Sequence, residues 1–104
     1  MKNITDLGPE ELLLMLAEEA AELAQACLKL RRALDKTNPT PRSPAECLEN
    51  LIEEMADVDL CSVAFTECLG KKAADDIDAK RTKIFESKMR RWTRRLNDEE
   101  DDLK

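Results

Sequence analysis

Apolar residues recur at intervals of three and four along most of the chain, the spacing that places them on one face of an α-helix. The pattern predicts a first helix from Pro9 to about Asp35, stopped by the proline-rich segment 37–41. Residues 43–46 (SPAE) have the form of a capping box, so a second helix should begin there and end at Gly70. A third helix is expected from near Ala73 to about Leu96.

These elements predict an all-α protein, an antiparallel bundle of three long helices joined by short connections. The 104 residues are expected to form a single domain, 1–104, in which the acidic tail 97–104 is free to fray. A chain this short that is 38% charged has limited apolar area. We therefore expect a second copy to complete the core, as a homodimer or a homotetramer.

The composition narrows the possible chemistry. The chain has no histidine, which excludes Ser-His-Asp catalysis and histidine-based zinc sites. Four cysteines could suggest disulfides or zinc, but no two are spaced as C-x-x-C, and their helical positions favour reduced core residues: Cys27, Cys47, Cys61 and Cys68. The longest apolar run of signal-peptide kind is six residues, so we expect a cytoplasmic protein without a membrane span.

The first helix carries an acid where its apolar face should be. Glu19 falls within the stripe, Glu22 lies one turn further at its margin, and Glu18 points toward the exposed side. The stripe itself consists of Leu12, Leu16, Leu23, Cys27, Leu30 and Leu34. The second helix repeats the anomaly, since Glu54 shares a line with Cys47, Cys61, Phe65 and Cys68, with Asp57 at the edge.

Unpaired carboxylates in a dry interior cost several kcal/mol each and also repel one another. Three explanations remain open for these acids: pairing with Lys or Arg of the third helix, a position at the rim of the core, or a metal ion. A metal accounts best for two facing helices that each present acids at positions i and i+3. Oxygen ligands alone favour Mg²⁺ or Mn²⁺.

The third helix combines a basic segment with an apolar stripe. Residues 80–95 hold eight Lys or Arg against one Glu, a net charge of +7 within a chain of −6. This charge is typical of a segment that binds an anionic substrate or of a helix face that is exposed to solvent. The overall negative charge disfavours a nucleic acid polymer. The stripe predicts core or subunit interface, although Trp92 could also touch a base: Phe85, Met89, Trp92 and Leu96.

Two acidic motifs of the chain resemble the signature of a known family. Residues 18–22 (EEAAE) and 54–57 (EMAD) are similar to the EExxE…ExxD signature of MazG-like all-α nucleoside triphosphate pyrophosphohydrolases, over roughly residues 12–92. The resemblance implies hydrolysis of a nucleoside triphosphate to a nucleoside monophosphate and pyrophosphate, with Mg²⁺ as cofactor. The implied metal ligands are Glu19, Glu22, Glu54 and Asp57.

The resemblance also implies two further roles. Glu18 would complete the motif and, with Glu19, serve catalysis by positioning or deprotonating the attacking water. Lys88 and Arg91 would contact the substrate phosphates, with snorkelling at the interface as the structural alternative. The alternatives to an enzyme are a catalytically inactive helical module that binds a nucleotide or a partner, and a purely structural bundle. The interval from Glu22 to Glu54 is long for the compact members of the family, and the base preference stays open.

Overall fold

A computed structural model of the protein describes residues 2–36 and 42–102. A short 3₁₀ helix, Ile4–Asp6, precedes three long helices: α1 (Pro9–Asp35), α2 (Pro44–Cys68) and α3 (Lys71–Asp102). The predicted all-α class and the three long helices are thereby confirmed. The chain divides into two compact units, which we call the first unit (Met1–Leu69) and the second unit (Gly70–Lys104).

Local capping fixes the ends of α1 and the start of α2. Pro9 occupies the first turn of α1 with Glu10 and Glu11, where negative charge is favourable. The helix ends at Asp35, and the C-cap residue Lys36 follows with a left-handed φ of 59°. The Ser43 hydroxyl accepts the Glu46 N–H at 3.2 Å, and the Glu46 carboxylate accepts the Ser43 N–H at 3.5 Å. This is the predicted capping box; the proline-rich stop at 37–41 lies outside the described residues.

The second and third helices differ from prediction at their bounds. Helix α2 ends at Cys68, and Gly70 follows with the left-handed φ of 98° that the sequence suggested for this position. Helix α3 begins two residues earlier than expected and continues through Asp102, so most of the acidic tail is helical. No glycine or proline follows Gly70, and nothing in the sequence therefore stops the helix at Leu96.

The core of the first unit lies between α1 and α2. Glu19 lies beside Glu54, whereas Leu30 shares a groove with Leu51, so the two helices run antiparallel as predicted. The buried apolar residues are Leu12, Ala26, Cys47, Cys61 and Ala64. Burial of Cys47 and Cys61 confirms two of the predicted core cysteines.

The predicted stripe of α1 is wrong in two positions, because Cys27 is exposed and Leu34 is 63% exposed. The buried line of α1 passes through Ala26 instead of Cys27, and Leu34 lies in the last turn of the helix. Cys68 is half-buried, and all four cysteines are free thiols as expected.

Much apolar surface remains open to solvent. Among the described residues only one large side chain, Leu12, is fully buried. The exposed large apolar side chains of α1 and α2 include Leu13, Leu14, Leu28, Leu48, Ile52, Met55, Leu60 and Val63. Such a surface is what the expected completion of the core by a second copy requires. None of the described helices combines the length and hydropathy of a bilayer-spanning segment.

Candidate metal centre

Three carboxylates meet on the α1–α2 pair. Glu19 and Glu22, one turn apart on α1, face Glu54 of α2, and one carboxylate oxygen from each lies within 4.8 Å of the other two. We call this group the carboxylate trio. The arrangement follows from the helical repeat, because residues at i and i+3 share a face and the antiparallel neighbour presents its own acid there.

Two oxygens of the trio are shut off from water. Glu19 Oε2 and Glu54 Oε2 are buried and have no hydrogen-bond partner among the described residues. The residues themselves are half-buried, whereas Glu22 is exposed. Within the described part of the first unit, the ion pair present joins Arg31 to Asp35 at 4.0 Å, in the last turns of α1. No Lys or Arg of those residues therefore neutralises the trio.

Without a positive partner in the described first unit, the half-buried Glu19 and Glu54 have altered pKa values. Burial raises the pKa of Glu19, and the neighbouring carboxylates of Glu22, Asp57 and Glu54 raise it further. Burial also raises the pKa of Glu54, followed by the neighbouring carboxylates of Glu22, Asp57 and Glu53. Both shifts have the same physical cause, because partial burial and like charges nearby disfavour the ionised form of each carboxyl group.

The remaining acids of the predicted site occupy different positions. Asp57 is exposed and stands outside the trio, yet its charge acts on both Glu19 and Glu54, which places it at the edge of the same cluster. Glu18 is exposed and is also outside the trio. The structure thus brings three of the four predicted metal ligands together, and the catalytic role of Glu18 stays a prediction.

A buried thiol adjoins the cluster. Cys61 is 4% exposed, and its pKa is raised by burial and then by the charges of Glu19 and Asp57. The helical repeat puts Cys61 on the line of Glu54, but the position of its thiol beside the site was not predicted. The signal was its spacing, since Cys61 lies four residues after Asp57 and seven after Glu54.

Lys88 and Arg91, predicted to contact phosphate, are both exposed on α3 in the second unit. Their side chains carry the free positive charge that such a role needs. The apolar stripe beside them is exposed as well: Phe85 65%, Met89 55%, Trp92 59% and Leu96 67%. Within the second unit this stripe is not buried, and its predicted role in a core or subunit interface stays a prediction, as does the phosphate contact of Lys88 and Arg91.

An apolar groove lies on the α1–α2 pair of the first unit. It has a volume of about 480 Å³ and is lined by Cys27, Leu30, Arg31, Leu34, Asp35 and Leu51. Cys27 lies five residues after Glu22, or about 7.5 Å along the helix axis. Leu51 lies three residues before Glu54 on α2. The groove therefore begins one to two helical turns from the carboxylates.

The carboxylate oxygens of the trio, and the burial of two of them, indicate which metal ions this site can hold. Oxygen donors alone suit hard cations, and the two unpartnered buried oxygens supply ligand atoms that nothing else satisfies. The residues thus fit a divalent cation such as Mg²⁺. Comparison with known proteins gives no matching family, no matching curated protein and no matching solved structure.

Proposed function

We propose that this protein is a Mg²⁺-dependent nucleoside triphosphate pyrophosphohydrolase, which converts a (deoxy)nucleoside triphosphate and water to the monophosphate and pyrophosphate. The observation that carries the proposal is the carboxylate trio, with its buried, unpartnered oxygens on two antiparallel helices. The resemblance of residues 18–22 and 54–57 to the signature of MazG-like pyrophosphohydrolases supports it. We place the enzyme in the cytoplasm as a homo-oligomer.

The trio supplies the negative charge that a cation needs. Glu19, Glu22 and Glu54 would hold Mg²⁺, with Mn²⁺ as a substitute and Asp57 as a further ligand from the edge of the cluster. The bound cation would neutralise the polyphosphate and lower the pKa of a coordinated water. Without that cation, the raised pKa values of Glu19 and Glu54 oppose full ionisation of the site.

The chain's own residues then align the reactants. Glu18, which the motif includes, would orient the attacking water or accept its proton. Lys88 and Arg91 would stabilise the negative charge that develops on the pyrophosphate leaving group. Phosphoryl transfer needs little more from a protein than such positioning and charge neutralisation.

The groove beside the trio gives the nucleoside a place to bind. Its wall is mostly apolar, and the Arg31–Asp35 pair lies at one end. Along the axis of α1 the groove begins about 7.5 Å from Glu22, and a nucleoside extends several ångströms from its α-phosphate. An apolar wall recognises the flat face of a base and distinguishes bases weakly. We therefore propose that the enzyme selects its substrate by the size of the base more than by the hydrogen-bonding pattern of the base.

A substrate panel tests the proposed function. The wild-type protein is incubated with each of the eight common NTPs and dNTPs and Mg²⁺, and released pyrophosphate is measured. Activity should depend on Mg²⁺ and be nearly abolished by Glu19→Gln or Glu54→Gln. Glu49→Gln is the matched control, because Glu49 is exposed on α2 and lies outside the cluster. Equal turnover by wild type and both cluster variants would rule out this site.

The panel also separates the enzyme from the alternative, a helical module that binds nucleotide without catalysis. Such a module would show nucleotide-dependent thermal stabilisation in the presence of Mg²⁺ and no pyrophosphate release. A purely structural bundle would show neither response.

A further inference from the structure

Helix α3, taken by itself, contains an amphipathic segment that the proposed function uses only in part. We call residues 80–96 the cationic segment, because they hold eight Lys or Arg against one Glu. The segment also presents an apolar stripe whose side chains are all more than half exposed: Phe85, Met89, Trp92 and Leu96. At 100° per residue these four side chains fall within a sector of about 60°, and all eight cations lie outside it.

Cations border the stripe on one flank, and acids limit the segment at both ends. Arg81, Lys88 and Arg95 recur every seven residues along one flank of the stripe. Asp78 and Asp98 lie two residues beyond the two ends of the segment. The net charge of the cationic segment is +7, within a protein of −6. This charge is spread over a length of about 25 Å, since an α-helix rises about 1.5 Å per residue.

The stripe is narrow and short for packing within a protein. A helix that faces a core usually presents an apolar face of at least about 100°, against about 60° here. The spacing of four and three residues is that of a coiled-coil seam, but such a seam needs at least about three heptads. The positions that would continue this seam are polar: Asp78, Thr82 and Glu99. A subunit interface, the role predicted from the spacing, therefore fits this stripe less well than a partner without a fixed shape.

We infer that the cationic segment binds the surface of an anionic membrane, with α3 lying in the plane of the interface. A cationic face opposite Trp, Phe and Leu, together with low overall hydrophobicity, is the composition of interfacial helices. The stripe would enter the boundary between headgroups and acyl chains, and the flanking cations would contact lipid phosphates. Cytoplasmic leaflets carry anionic lipids, so this location agrees with the proposed cytoplasmic one.

A membrane fits these residues better than a nucleic acid does, although both are polyanions. The phosphates of a nucleic acid would neutralise the cations but leave the four large apolar side chains of the stripe in water. A lipid surface buries those side chains and needs no complementary shape. The net charge of −6 does not prevent local attraction, because charges further apart than about 8 Å are largely screened at physiological salt.

Vesicle binding tests the inference on the full chain, in EDTA so that no divalent cation bridges protein and lipid. The probe is a vesicle of equal parts phosphatidylcholine and phosphatidylserine, with pure phosphatidylcholine as the neutral comparison. Wild type should sediment with the anionic vesicles only, and raised salt should release it. Trp92, the single tryptophan, should emit at shorter wavelength when the anionic vesicles are added.

Two exposed positions of the segment give a matched pair of variants. Met89→Glu places a charge within the stripe and should weaken binding to the anionic vesicles by at least about tenfold. Ser87→Glu adds the same charge on the far side of α3 and should weaken binding less. Neither residue belongs to the trio or to the proposed phosphate contacts, and circular dichroism should show the same helix content in both variants.

Failure of wild type to bind the anionic vesicles would overturn the inference, as would a Met89→Glu variant that binds them no more weakly than Ser87→Glu. Short-wavelength Trp92 emission in vesicle-free oligomers would overturn it by assigning the stripe to a second copy. Equal binding of duplex DNA by wild type and Met89→Glu, without vesicle binding, would overturn it by assigning the cations to a nucleic acid. None of these measurements depends on nucleotide hydrolysis, so the proposed function is tested separately.

Discussion

Oε2 of Glu19 and Oε2 of Glu54, on neighbouring antiparallel helices, are both buried, and neither has a hydrogen-bond partner in the part of the chain that the structure describes. Glu22 lies within 4.8 Å of both carboxyl groups and completes the trio. No basic residue of the described first unit neutralises these carboxylates, so their burial lowers the stability of the folded protein. A site that is costly when empty and stabilised by a cation is expected of a metal centre.

The first prediction concerns the pH dependence of the metal-free protein. The folded-state pKa values of Glu19 and Glu54 lie above the ordinary 4.5, so between these values the folded state binds more protons than the unfolded state. These two groups should therefore contribute their full stabilisation below about pH 4.5 and lose it as the pH rises through the folded-state pKa values. Thermal unfolding in EDTA at a series of pH values measures this.

Removal of one negative charge from the trio should restore the stability that the metal-free protein loses as the pH rises. Glu54→Gln is expected to raise the melting temperature of the metal-free protein at neutral pH and to flatten its pH dependence. Glu18→Gln, outside the trio, should leave the slope as in wild type. A Glu54→Gln variant that melts earlier than wild type in EDTA would contradict the electrostatic interpretation of the cluster.

The second prediction concerns Mg²⁺ affinity. Binding to the folded state alone should raise the free energy of unfolding by about 2.7 kcal/mol when Mg²⁺ is present at a hundred times its Kd. Glu22→Gln should weaken binding more than Asp57→Asn, because Glu22 belongs to the trio and Asp57 lies at its edge. Calorimetric titration of both variants, with Glu49→Gln as control, gives the order. Unchanged affinity in Glu22→Gln would exclude the trio as the binding site.

The third prediction concerns the small core. Leu12 is fully buried, and Leu12→Ala should lower the free energy of unfolding by roughly 2–5 kcal/mol through lost burial and the cavity that remains. Gln25→Ala, on the exposed side of the same helix, should change it by less than about 0.5 kcal/mol. Urea unfolding of both variants at one protein concentration provides the comparison. Similar urea midpoints for the two variants would show that the burial of Leu12 contributes little to the stability of the protein.

The fourth prediction concerns thiol reactivity. Cys27 is exposed, whereas Cys61 is buried and its thiol pKa is raised by burial and by neighbouring carboxylates. Alkylation near neutral pH should modify Cys27 first and Cys61 only on unfolding, because the thiolate is the reacting form. Mass spectrometry of peptides from a time course measures the order. Early labelling of Cys61 would contradict its burial beside the trio.

The sequence alone determined the elements and the identity of the unusual acids. Pro9, the capping box at 43–46 and Gly70 act through local backbone chemistry, so helix starts and the turn could be predicted from neighbouring residues. Glu19 and Glu54 stood out because charge at an apolar position is visible in the helical repeat. The far end of α3 was missed because no local signal marks it.

Only the tertiary structure decided which acids meet. The helical repeat gives the direction of each side chain but not the rotation of α1 against α2, which packing of Leu12, Ala26 and Cys61 fixes. That rotation places Glu22 beside Glu54, leaves Asp57 at the edge and turns Cys27 outward. Ligand distances depend on the relative position of two helices, and such a long-range quantity is set by the packed interior rather than by any single segment.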